Sequence, residues 1–425
     1  ASPRCLITDD SAADTTAVFA SWHLRQAVPV TRRVDDRRET SNMPFFDRHD
    51  LLPQMAFLQG VYDGDFDSVK AALEAGANVN GPPGHSFPPI AAAALVNHAG
   101  MVKFILAQGA DPDRPITEAA ETPALSPADS TPDPNNSGAR ALHLAARHGN
   151  VEIVRLLLKR AGADPNVTDI GGCTPLMATC QSECAYVEVV RLLLEAGADP
   201  ALARLRDGWI PLHSVARRGQ IELVDLLYSS APATLSRGAA KLQTPLLLAC
   251  RYGHESMVSK LLSLGARQPT PPDMCPLAVA VSEGLVGVVR VLLNEGGIRA
   301  VGGGVALSQA LFMSVVCRRA VILRLLLAVD GEERQSEWAS ISQRGIQLLH
   351  TGASLCYPAA VSVLLEAGAD EAARNSGGRT AEDSIGVGIS PGDEVQKDPY
   401  EEVAIRRMLQ RGPAYRARSW AWPCY

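Results

Sequence analysis

Three cysteines, Cys173, Cys180 and Cys184, form the only close cysteine cluster in the 425-residue chain. Thiolates are good zinc ligands, and Cys180 and Cys184, four apart, would share one face of a helix. No fourth ligand stands at a fitting spacing, so the three read as buried or semi-exposed thiols. Gly386-Val387-Gly388-Ile389-Ser390-Pro391-Gly392 has the glycine content of a phosphate-cradling loop. No strand pattern precedes it, however, and Pro391 would interrupt the row of amides. Gly302-Gly303-Gly304 precedes a helical pattern but lacks the following Lys-Ser/Thr pair. A nucleophile elbow, a His-Glu-x-x-His helix, a kinase set and an acidic metal loop are all missing from the sequence. The expectation is a non-enzymatic chain with no catalytic residues, no metal and no cofactor.

Composition supports that expectation. Hydrophobic residues make up 46% and charged residues 20%, ordinary values for a folded protein. The net charge of −6 is spread over a long chain and gives no field that would attract nucleic acid. Aromatics are only 5%, while Leu and Ala abound, which fits small-residue helix packing. The nine cysteines stand at irregular positions, most within apolar runs such as Leu248-Ala249-Cys250. That usage suits reduced thiols in a cytoplasmic or nuclear protein better than a disulfide framework. Residues 1–30 contain no continuous apolar run, and the most apolar window, Val305 to Cys317, includes Ser308, Gln309 and Ser314. It is too short to span a bilayer, so no membrane span is expected.

With chemistry set aside, the elements that carry the chain come forward. Residues 139–166 contain two short helical patterns, Ala141 to His148 closed by Gly149, then a run from Asn150-Val151 closed by Gly162. Ile153, Val154, Leu157 and Leu158 are spaced to share a face of the second helix. Helices shorter than ~12–15 residues are marginal in water, so this pair needs neighbours. Variants of it recur. Helix-ending glycines of a Gly-Ala-Asp or Gly-Ala-Asn type of marker stand at 76, 109, 162, 197, 265 (here Gly-Ala-Arg) and 368, with steps of 33 from Gly76 to Gly109, 35 from Gly162 to Gly197 and 68 from Gly197 to Gly265. Missing markers fall near Ser230-Ala231, Gly296-Gly297 and Asp330-Gly331, each after an aliphatic helix pattern. About ten helix pairs result, the first, eighth and tenth being the most degenerate. The eighth, without a hairpin motif, is expected to be the weakest joint.

Thr174-Pro175-Leu176-Met177-Ala178, Ile210-Pro211-Leu212-His213-Ser214, Thr244-Pro245-Leu246-Leu247-Leu248-Ala249 and Cys275-Pro276-Leu277-Ala278-Val279-Ala280 open successive units. They resemble the Thr-Pro-Leu-His-x-Ala opening of ankyrin repeats, and Ala141-Leu142-His143-Leu144-Ala145-Ala146 is a version without the proline. Tetratricopeptide repeats have a similar length, but their Trp…Gly…Tyr pattern is not found. The resemblance implies an all-α fold, an ankyrin-repeat solenoid of stacked helix-turn-helix units joined by β-hairpin-like turns over residues 50–412. It also implies that His143 and His213 bond to backbone in the turns and are architectural.

The remaining segments are read by composition. Residues 1–49 form a leader, polar and mixed in charge over 1–42 and expected to be disordered. The chain starts at Ala1, and Met43-Pro44-Phe45-Phe46 directly precedes the ordered-looking part, so processing and a start at Met43 are both open. Residues 114–138 read as a flexible acidic Pro-rich insertion with three Ser/Thr-Pro pairs, and 384–399 as a loop insertion in the terminal repeat. Residues 413–425 form a tail containing Trp420 and Trp422, expected to fold back onto the last repeat or stay loose, the alternative being a partner or membrane-surface peptide.

In ankyrin-like stacks the hairpin turns and the exposed ends of the inner helices line one concave groove that selects a partner, as the resemblance implies. That register singles out Arg147 and His148, Arg217 and Arg218, and Arg251 and Tyr252, each pair just before a glycine, with Asp207 and Trp209 from the turn before the fifth unit. Arg, Trp and Tyr are enriched at binding hot spots, and an arginine stripe suits an acidic or phosphorylated protein segment. The chain is thus expected to be an adaptor or scaffold for another protein. The alternative is a substrate-recognition subunit of a ubiquitin ligase complex, although no recognisable box follows residue 412.

Overall fold

The Thr-Pro-Leu openings start helices because each residue meets a different need of a helix end. Thr174 Oγ1 accepts a hydrogen bond from the Met177 amide at 3.3 Å, and Thr244 Oγ1 one from the Leu247 amide at 3.2 Å. Such caps are worth ~1 kcal/mol each. Pro175 and Pro245 follow in the first turn, where a missing N–H costs nothing.

The computed structural model describes residues 48–81, 87–117, 138–239, 243–266, 275–296, 303–328, 348–388 and 398–411. The expectations for the leader, for most of 114–138, for the middle of 384–399 and for the tail lie outside these residues. Helices come in pairs: α1 (Arg48–Asp63) and α2 (Phe66–Glu74), α3 (Pro89–Leu95) and α4 (Ala99–Ala107), α5 (Ala141–Arg147) and α6 (Val151–Lys159), α7 (Pro175–Cys180) and α8 (Val187–Glu195), and α9 (Pro211–Arg218) and α10 (Val224–Ser230). They continue with α11 (Pro245–Arg251) and α12 (Glu255–Ser263), α13 (Pro276–Glu283) and α14 (Val286–Val291), α15 (Gly303–Val316) and α16 (Ala320–Leu327), and α17 (Leu348–Ser354) and α18 (Pro358–Glu366). The tenth inner helix is reduced to a 3₁₀ turn, Glu382–Ser384, preceded by Thr380, whose Oγ1 accepts from the Asp383 amide at 3.3 Å, and followed by α19 (Pro399–Arg411). No strand occurs among the described residues.

Contacts divide the chain into two units, one of residues up to Val215 with Glu222–Thr234, the other of Ala216–Ile221 with residues from Leu235 on. In the first, α1, α3, α5 and α7 pack in sequence as an inner row, and α4, α6, α8 and α10 as an outer row. In the second, α11, α13, α15 and α17 form the inner row, and α12, α14, α16 and α18 the outer row, with α19 against α18. Fully buried alanines such as Ala92, Ala145 and Ala146 let inner helices approach, while Ile153, Leu157 and Leu193 fill the space behind them. Each such aliphatic contributes ~1.5–3 kcal/mol. One expected position shifts: in α6 the buried set is Ile153, Val154, Leu156 and Leu157, and Leu158 is only half-buried. Because α6 packs against α5, α4 and α8 at once, its apolar arc is wider than a single contact stripe.

The markers do two jobs. Gly162 takes φ +67°, the left-handed closure of the outer helix. Asp164 Oδ1 then accepts from the Asn166 amide at 2.9 Å, Asn166 Oδ1 accepts from the Asp199 amide at 2.8 Å, and its Nδ2 donates to the Gly197 carbonyl at 3.0 Å. The markers therefore tie one repeat to the next. Where the marker is missing the chain leaves the outer helix differently, through a 3₁₀ turn at Pro232–Thr234 and a π turn at Leu292–Gly296.

The hairpin-like turns are closed by backbone bonds, Asp169 N–H to Cys173 at 3.0 Å and Arg204 N–H to Trp209 at 2.8 Å, and successive turns bond through Leu205 N–H to Gly171 at 3.0 Å. Histidine fixes the same region. The His143 Nδ1 accepts from the Arg140 amide at 3.2 Å, so the proton is on Nε2, which donates to the Cys173 carbonyl of the next unit at 3.0 Å. His213 Nδ1 likewise accepts from the Ile210 amide at 3.2 Å. Burial, with the Arg140 and Arg147 charges adding to it, pushes His143 down to about 4 and keeps it neutral.

Candidate functional site

In the first unit, Arg147 ends α5 and His148 caps it, both half-buried. Burial, and then the neighbouring Arg147 charge, holds His148 below the ordinary histidine range. It adds no positive charge to the lip near neutral pH. Asp207 and Trp209 belong to the turn before α9, and the structure gives Asp207 local work. Arg204 donates Nε to Asp207 Oδ1 at 3.0 Å and pairs with Oδ2 through Nη2, and the Trp209 amide donates to Oδ1 at 3.1 Å. Burial pushes the Asp207 carboxyl up, but the bonds from Arg204 and Trp209 and the Arg204 charge outweigh it and hold it below the usual range. Trp209 stacks on His213 with ring centres 5.9 Å apart at 26°, and the Arg204 guanidinium lies 5.7 Å from the indole.

Sequence reasoning missed Arg204, which organises this turn, and two turn-tip aliphatics, Ile170 at 58% and Leu205 at 80% exposure. The alternation of the turn residues could have signalled both tips, since neither is placed to reach a helix interface.

In the second unit, Arg217, Arg251 and Tyr252 are exposed and Arg218 is half-buried. The structure brings Arg217 and Tyr252 together across a repeat boundary, with the guanidinium 5.5 Å from the ring centre. His254 holds the same junction, its Nε2–H donating to the Arg217 carbonyl at 2.8 Å. These lip residues stand where the ends of α9 and α11 place them, one repeat apart.

Of the three clustered cysteines, Cys173 and Cys180 are buried and Cys184 is half-buried. Cys180 is fully buried, and burial pushes its thiol well up, with Cys173 nearby adding to the shift. Cys173 packs with Met177, Ala178 and Leu202. Among the described residues no group of three or more His, Cys, Asp or Glu side chains is arranged to hold a metal ion. No described helix is long and apolar enough to cross a membrane.

Paired helices, marker turns and turn-bound histidines define a helical repeat fold, and the family model described as "Ankyrin repeats (3 copies)" matches residues 54–169, 121–204, 142–237 and 212–301. The chain belongs to the ankyrin-repeat family, whose repeats are a protein–protein interaction module. It is similar to Tyrosine-protein kinase HTK16 of Hydra vulgaris, 34% identical over 134 residues, covering 31% of this chain and 17% of the kinase. It is 32% identical over 174 residues to Ankyrin repeat and SOCS box protein 16 of Homo sapiens, covering 39% of this chain and 38% of that protein. Palmitoyltransferase Hip14 of Drosophila melanogaster is 27% identical over 255 residues, covering 49% and 37%. The chain spans less than two-fifths of each of these three relatives. A kinase, a transferase and a SOCS box protein all match, so the similarity carries the repeat architecture and no particular activity.

Proposed function

We propose that the chain is a non-enzymatic adaptor or scaffold that binds another protein, at an acidic or phosphorylated segment, along the inner-helix lips and hairpin turns of its repeats. The observation that supports this most is the exposed Arg217–Tyr252 pair with Arg251 beside it. Arginine and tyrosine are hot-spot residues, and an arginine held on a ring loses less rotamer freedom when it binds an anion. The reading places the protein in the cytoplasm or nucleus, where its free cysteines stay reduced. The test is the triple variant Arg217→Glu, Arg218→Glu, Arg251→Glu. Its melting curve should move little while binding to a purified acidic partner collapses; retained binding would rule the lip out.

The similarity to a SOCS box protein supports a second reading, a substrate-recognition subunit of a ubiquitin ligase complex. Co-purification with a cullin or elongin is its expected mark, and their absence from purified native complexes would remove it.

A further inference from the structure

The lip of the second unit carries a second arginine–tyrosine pair that the stripe read from the sequence does not include. The Arg318 guanidinium lies 5.2 Å from the centre of the Tyr357 ring, and its Nη2 donates to the Cys356 carbonyl at 2.8 Å and to Glu401 at 3.2 Å. In both pairs the tyrosine comes from the unit that follows the arginine's. Beside it, Arg319 lies over the Gly284 backbone, where a β-carbon would meet the guanidinium carbon at 2.7 Å. Its Nη2 donates to the Ser282 carbonyl at 3.5 Å. Both arginines are exposed.

Arg318 also stands at φ +56°, in the position that Gly219, Gly253 and Gly284 occupy at the ends of the preceding inner helices. Asn97 and Cys356 take the same left-handed conformation at the ends of α3 and α17, so the position carries a side chain in three units, and at Arg318 that side chain is a cation. The unit between the two arginine groups breaks the pattern, since the lip of α13 presents the exposed carboxylate of Glu283. In chain order the second-unit lip is therefore basic at Arg217, Arg218 and Arg251, acidic at Glu283, and basic again at Arg318 and Arg319.

We infer that this lip takes an extended protein segment with two acidic clusters about five to six residues apart and a basic residue between them, because two packing steps of ~8–10 Å must be bridged by a chain that advances ~3.3 Å per residue. Arg217, Arg218 and Arg251 take the first cluster, Arg318 and Arg319 the second, and Glu283 the intervening cation. The inference rests on the proposed function and assigns its partner a charge pattern and a length. Carboxylate side chains are the anionic groups it names.

The test uses the full chain and fluorescein-labelled Gly/Ser peptides in which two Glu clusters flank a central Lys, with spacers of two, six or twelve residues. By fluorescence anisotropy the six-residue spacer should bind roughly tenfold or more tightly than the other two, as linked sites do when the linker matches the span. Arg319→Glu should abolish that preference, and Glu283→Lys should reverse the choice of central Lys over central Glu. Equal affinity for all spacers, or an unchanged central preference in Glu283→Lys, would overturn the inference. So would binding confined to peptides with phosphoserine in place of glutamate. If the triple variant at Arg217, Arg218 and Arg251 loses the purified partner while spacer length has no effect, the two-cluster pattern fails and the adaptor reading stands. If the triple variant keeps the partner and no peptide binds, both fail.

Discussion

Two glycines of the same unit, Gly149 and Gly162, should respond differently to the same methyl group. Both have positive φ, +72° and +67°. A β-carbon at Gly162 would find nothing within 4 Å, whereas at Gly149 it would lie 2.3 Å from Tyr186 Cε1 and 2.4 Å from Cδ1. Gly162→Ala therefore costs only the left-handed conformation, ~1–2 kcal/mol. Gly149→Ala costs that and the displacement of a ring packed on the turn, a further ~1–3 kcal/mol, for a total of ~2–5 kcal/mol. Hydrogen exchange of amides in α5 to α8, read with a urea titration, measures both losses within this unit. Tyr186→Ala in the Gly149→Ala background should recover the steric part, a coupling of ~1–3 kcal/mol in a double-mutant cycle. Equal costs at the two glycines, or coupling within ~0.5 kcal/mol of zero, would refute the claim that the inner-helix glycine serves close approach as well as conformation.

Two further outcomes follow from the same geometry. His143 sits at about 4 when folded against an unfolded value near 6.5, so its stabilising contribution is complete above ~6.5 and is lost as pH falls towards 4, in total on the order of 3 kcal/mol. Urea midpoints between pH 7 and 4 should fall more steeply for the native chain than for His143→Gln; equal slopes would contradict the buried neutral tautomer. Asn97, exposed at φ +59°, ends α3 where other units use glycine. Asn97→Val should cost ~1–3 kcal/mol by thermal melting and Asn97→Gly well under 1 kcal/mol, since only the β-branched residue resists that conformation.

The helix pairs were legible in the sequence because their signals are local. Thr174 and Thr244 cap, Pro175 and Pro245 start, Gly162 stops, and each acts within a few residues of its own position. The eighth pair looked degenerate for a physical reason. Its inner helix α15 closes on Arg318 instead of glycine and opens without Thr-Pro-Leu, so the features that announce a unit are absent while the fold persists. Leu156 was left out of the expected face because its burial depends on three neighbouring helices, a fact that one helix's periodicity does not contain. Arg147, Arg217, Arg218 and Arg251 fall in the last turns of inner helices, where the repeat register puts them, but the contacts of each side chain were not readable.

For the partner surface proposed above, those contacts separate the residues singled out. Asp207 was singled out from a turn and Arg251 from the end of an inner helix, both as charged residues of one lip. Asp207 receives two bonds from Arg204 and one from the Trp209 amide, so a ligand that took its carboxylate would have to replace bonds already made. It shapes the turn and presents Trp209. Arg217 lies against the face of Tyr252, an attraction that restrains the side chain. Arg318 combines both situations, stacked on Tyr357 yet bonded to Cys356 and Glu401, and is the half-committed member of its group. Arg319, held over Gly284 and bonded only weakly to Ser282, is for that reason the member whose reversal best separates recognition from architecture. On the adaptor reading proposed above, recognition then falls to the lip charges of particular repeats and not to the repeat fold that they share.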